Sequence, residues 1–221
     1  MQARDIPVFG GLLEAAVLYA RTVASLARHP FAFVHTIVFD DPGALRRAFK
    51  FVGAGIALAY LILTPALTRH GFDVGELRFG FVVLLRLLLV TVVYHAAFHV
   101  VGCRRPLSTS LILSSYLNGL YFPFFMAAML PGYLAVGPAV YFDPGIVLTP
   151  EQVSGLGNPL VLSALALLLL AYPFFFAMAS AWWARAYGAS TALSAVLLLA
   201  ALVVAGAINI YIVPFLTRLF I

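Results

Sequence analysis

FGFVVLLRLLLVTVVYHAAFHVV, residues 79–101, is apolar throughout except for Arg86, Thr91, Tyr94, His95 and His99. A helix rises about 1.5 Å per residue, so a run of this length crosses the roughly 30 Å of hydrocarbon in a bilayer. Its apolar residues do not alternate with polar ones, as they would in a strand of a membrane barrel. A helix is then the one element that satisfies its own backbone in lipid.

Outward from this run, four more stretches have the same character: residues 49–67, 107–130, 160–183 and 191–215. The predicted fold class is therefore all-α, a polytopic integral membrane bundle of about five transmembrane helices. Composition agrees, with 64% hydrophobic and 10% charged residues in 221 and a mean hydropathy of +1.06. A soluble domain needs about 25% charged residues to cover its surface.

Residues 1–43 read as a cytoplasmic N-terminal segment, amphipathic and interfacial. Residues 12–27 have helical periodicity but carry Glu14 and Arg21, with Arg28 and His29 just beyond and Pro30 as the stop. Such a helix lies at the interface or packs beneath the bundle. Residues 30–39 are apolar but too short to span, so they read as interfacial or re-entrant. Asp40 and Asp41, followed by Pro42 and Gly43, form a turn whose acids can cap a helix beginning at Ala44. Residues 44–221 form the five-helix domain, with 131–159 as a long external loop that touches the membrane or dips into it around 136–142.

The start of the chain lacks a clean apolar region followed by a small-residue cleavage site, so the first span is expected to serve as an uncleaved targeting signal. With the N-terminus inside, Arg4, Arg21, Arg28, Arg46, Arg47, Lys50, Arg104, Arg105 and Arg185 fall on the cytoplasmic side. Arg69, Arg78 and Arg218 fall outside. That bias predicts a multi-pass inner-membrane protein, N-terminus cytoplasmic and C-terminus periplasmic. The net charge of +5 sits beside the spans, which points to lipid headgroups as partners and away from nucleic acid. Cys103 is the sole cysteine, so no intrachain disulfide and no cysteine-rich metal site is expected.

Five polar side chains within the spans are the candidates for a ligand or ion pathway: Arg86, His95, His99, Asn118 and Asn209. Arg86 is costly in hydrocarbon; it either snorkels and pairs or serves a ligand. His95 and His99 are one turn apart on one helical face, a spacing that suits interhelical bonding, proton transfer or a metal. No carboxylate or cysteine shares their span, so neither a metal nor a cofactor is expected. Nine positions separate Arg86 from His95, about half a revolution, so the two point apart. Asn118 and Asn209 suit hydrogen bonds between helices, or, with Pro123, Pro173 and Pro214, the broken helices of a transporter. No phosphate-binding loop or acid/base pair emerges, and enzymatic activity is left open.

Three segments resemble the Yip1 domain superfamily of small five-span membrane proteins. They are residues 28–37 leading through Pro42; His95, His99, Gly102, Arg105, Pro106, Leu107 and Ser108 with Ser115 and Tyr116; and residues 187–192. The resemblance implies a five-span fold. Small-residue helix faces, few buried ionisable groups and little extramembrane mass favour a non-enzymatic scaffold or accessory role of that type, exercised through homo-oligomers or other membrane proteins. The eukaryotic family's prenylated GTPase partners are not carried over, because the N-terminal arm is short. The alternative is an oligomeric ion or proton channel, or a small-solute or lipid transporter, using the polar residues of spans two, three and five.

Overall fold

In the computed structural model, residues 7–70, 75–136, 154 and 157–207 are described. Six α-helices account for nearly all of them: α1 Pro7–Arg28, α2 Ala44–His70, α3 Gly75–Val100, α4 Leu107–Val136, α5 Pro159–Tyr187 and α6 Thr191–Ala207. A short 3-10 helix, Phe33–Thr36, follows α1. The protein is an all-α polytopic membrane bundle. Among the described residues, three helices are long and apolar enough to cross a membrane, at Ala44–Thr68, Leu107–Leu134 and Pro159–Tyr187. Two shorter apolar stretches, Leu87–Val100 and Thr191–Ala207, accompany them.

Local chemistry sets the helix ends. Asp41 accepts a hydrogen bond from the Gly43 N–H at 2.9 Å and pairs with Arg47, so α2 opens at Ala44, where the acid-rich turn predicts it. These contacts, the Gly43 bond first and Arg47 second, hold the exposed Asp41 carboxyl below the usual carboxylate range. Asn158 accepts from the Leu160 N–H at 2.9 Å with Pro159 in the first turn of α5. Ser190 accepts from the Leu193 N–H at 3.2 Å and starts α6.

Helix α4 is central. It packs on α2, α3 and α5, while α6 bridges α3 and α5, so α3, α4, α5 and α6 close into a ring with α2 on its outside. The α2–α4 contact is the most extensive and rests on two glycines. A Cβ on Gly55 would lie 2.8 Å from the Gly119 Cα, and one on Gly119 would lie 2.6 Å from the Phe51 ring. Removing side chains at a crossing lets two backbones touch, which is how helices gain packing energy where lipid offers no hydrophobic drive.

The core falls into two clusters. One, built around Leu26, Phe33, Phe51, Phe98, Trp182 and Trp183, lies where α1, the 3-10 helix, the start of α2 and the ends of α3, α4 and α5 meet, with Leu198 of α6 beside them. The other joins α2 and α4 farther along, through Leu63, Met126 and Tyr133.

Two boundaries differ from the sequence expectation. Helix α4 continues past 130 through Pro131 to Val136, so the first six positions expected in the external loop are helical. Proline is tolerated there because neighbouring helices can satisfy the carbonyl it frees. Helix α5 runs on to Tyr187, past the expected end at 183, because its stop is Gly188. The remainder of the expected loop up to 153 and positions 208–215 of the last span lie outside the described residues.

Candidate functional site

Two glycines deliver the principal polar cluster. Gly102, with φ of 85°, ends α3: the Gly102 N–H bonds to the His99 carbonyl at 3.0 Å and the Cys103 N–H to the Phe98 carbonyl at 3.1 Å. Gly188, with φ of 68°, ends α5, and the Ala189 N–H bonds to the Ala184 carbonyl at 2.9 Å. Both are left-handed caps that a Cβ would strain. They leave His95 and His99 in the last turns of α3 and Tyr187 as the final residue of α5, next to the first turn of α4.

There the Tyr187 hydroxyl lies 2.9 Å from His95 Nδ1 and 2.5 Å from Ser110 Oγ, and Ser110 Oγ lies 3.4 Å from His95 Nδ1. With the His95 proton on Nε2, the chain runs in one direction: Ser110 donates to Tyr187, and Tyr187 donates to His95 Nδ1. Three residues from α3, α4 and α5 thereby form one hydrogen-bonded clamp. The Phe98 ring packs on Tyr187 at 4.7 Å, and the exposed His99 ring stands 4.7 Å from His95. Tyr94 meets the buried Trp183 edge-on at 5.8 Å.

A second set of polar contacts anchors α1 and its sequel. The Trp182 indole N–H donates to the Pro30 carbonyl at 2.7 Å, and Phe33 packs on both Trp182 and Tyr116. Tyr19 stacks on Phe51 at 4.8 Å, and its hydroxyl donates to the Gly119 carbonyl at 3.0 Å. Burial pushes the Tyr19 phenol up, so it stays a donor at neutral pH.

Of the five expected pathway residues, the structure brings His95 and His99 together. Asn118 stays apart: its amide donates to the Ser114 carbonyl of its own helix at 2.8 Å, about 12 Å along α4 from Ser110. Arg86 belongs to α3, but its side chain lies outside the described residues, as does Asn209 entirely. Ser110 and Tyr187, the partners of His95, carry no pairing signal in the sequence. They are 77 positions apart on different helices, and only the glycine after Tyr187 marks a helix end there.

Among the described residues, no three His, Cys, Asp or Glu side chains gather as a metal site would require. The arrangement can exchange protons along hydroxyls and imidazole, and it can hold three helix ends in register. Comparisons with family models, curated proteins and solved structures found no match to the chain.

Proposed function

We propose that this protein is a non-enzymatic membrane scaffold or accessory protein of the Yip1-like type, acting by lateral contact with other helices in the bilayer. One observation carries the proposal: six polar side chains described within the spans take their hydrogen-bond partners from the protein itself. His95, Ser110 and Tyr187 bond to one another, and Asn118, Thr91 and Ser180 bond to carbonyls of their own helices. A pore needs such groups turned toward a water-filled path. Helix α5, with only 6% of its apolar window buried, offers a long surface for lipid or partner helices.

The proposed orientation, N-terminus cytoplasmic in a bacterial-type inner membrane, draws on Arg28, Arg46, Arg47, Arg104, Arg105 and Arg185. Arg28, Arg104, Arg105 and Arg185 sit at helix ends linked by the Trp182–Pro30 and Tyr187–Ser110 contacts, and Arg46 and Arg47 open α2, whose Ala44 and Ala48 pack into the same cluster as Trp182. A second copy of the chain belongs among the partners to be tested.

The test pairs reconstitution with crosslinking. Purified protein in liposomes should pass protons and small cations no faster than empty liposomes. A photoreactive residue at Leu169 or Val196, on exposed helix faces, should trap a discrete protein partner in cells. Ion flux that disappears with His95→Ala would overturn the proposal in favour of a channel.

A further inference from the structure

An apolar groove of 480 Å3 runs between α1, α4 and α5. Leu26 and Pro30 roof it, and Leu120, Phe124, Leu167 and Met178 line its walls. From Leu167 to Met178 the groove follows α5 for about 16 Å, at 1.5 Å per residue. That is the depth of one leaflet, half of the roughly 30 Å hydrocarbon core. A transmembrane helix docked there would run the full thickness and need a groove continuing toward Leu160. An acyl chain, which occupies one leaflet, needs a groove of only this length.

Charge distinguishes the two ends. At the Met178 end, Arg28 precedes Pro30 by two positions, and Arg185 follows Met178 by two helical turns, on the same side of α5. Both arginines are exposed, and neither α5 nor the segment 15–39 contains an acid. Cations beside the hydrocarbon boundary attract anionic headgroups. We infer that the groove binds one acyl chain of an anionic phospholipid, with its phosphate held at Arg28 and Arg185.

The test uses the full chain in nanodiscs of phosphatidylcholine, doped with phosphatidylglycerol that carries a diazirine midway along one acyl chain. After photolysis, mass mapping should find adducts concentrated at residues 120–124 and 170–175. Labelling at Leu162 and Leu169, on exposed parts of the same α5, should be several-fold weaker. The same probe on phosphatidylcholine should label the groove less, by about five-fold for each arginine engaged. Ala171→Trp, which places an indole in the groove, should abolish groove labelling and leave Leu169 labelling unchanged. Arg28→Gln with Arg185→Gln leaves the apolar lining intact and should bring the two lipids to parity. Uniform labelling around α5, equal labelling by both lipids in the unaltered protein, or a disulfide dimer through Ala171→Cys would overturn the inference, the last by seating a second copy in the groove.

Discussion

The Tyr19 hydroxyl donates to the Gly119 carbonyl, which is the carbonyl that Pro123, four residues later and lacking an N–H, leaves without its helical partner. Helix α1 thus repairs a defect that a proline makes in a central helix. The same glycine lets α2 approach α4, so one position on α4 serves both contacts.

Tyr19→Phe should destabilise the protein by about 1 kcal/mol, the net worth of one hydrogen bond. In a Pro123→Ala background the residue 123 N–H can reach the Gly119 carbonyl, so the loss should shrink toward zero. A double-mutant cycle in a mild-detergent unfolding titration measures the coupling. Equal losses in both backgrounds would separate Tyr19 from the proline defect.

Gly55→Ala should cost about 1–3 kcal/mol, because the added methyl meets the Gly119 backbone, which cannot step aside. Gly53→Ala, two positions away with open space around it, should be neutral or stabilising by about 0.5–1 kcal/mol from helix propensity. Steric-trap unfolding in bicelles compares the two directly.

Ser110→Ala and Tyr187→Phe should be coupled, by about 0.6 kcal/mol and at most about 1.7 kcal/mol, the span found for hydrogen bonds between membrane helices. Hydrogen exchange at the end of α3 should rise in either single variant. Additive losses would mean that the hydroxyls do not form one network with His95.

Asp41→Asn tests the start of α2. Because the Asp41 carboxyl is held below the usual carboxylate range in the fold, its contribution is fully present above the unfolded value and is lost as pH falls through the folded one. Protection of the first turn of α2 from amide exchange should therefore fall only in acid. In Asp41→Asn, which cannot lose a charge there, this step should vanish. Salt should weaken the Arg47 part of the effect, since both side chains are exposed.

The chain's order was largely legible from local chemistry. The acid turn before Ala44, the apolar lengths of α2, α4 and α5, and the shared face of His95 and His99 all follow from neighbours within a turn or two. What was not legible depends on residues far apart in the chain. Tyr187 reaching His95, Trp182 reaching the Pro30 carbonyl, and the α1 roof over the groove have no periodic signature. The end of α4 is ambiguous in sequence, since Pro131 is followed by a further apolar stretch, and α4 runs on through it because proline stops helices in water more reliably than in a packed membrane bundle. Gly55 and Gly53 look alike in sequence, yet only Gly55 meets another backbone.

The chain contains two tryptophans, and both, Trp182 and Trp183, are fully buried in the cluster joining α1 to the ends of α3, α4 and α5. Its intrinsic fluorescence is therefore a local instrument. Emission should report loosening of that end of the bundle and remain dark to events around Leu63, Met126 and Tyr133, where no indole lies. Two optical probes of unfolding, tryptophan emission and helical circular dichroism, watch different parts of this molecule, and any gap between their transitions measures how far its two ends come apart independently.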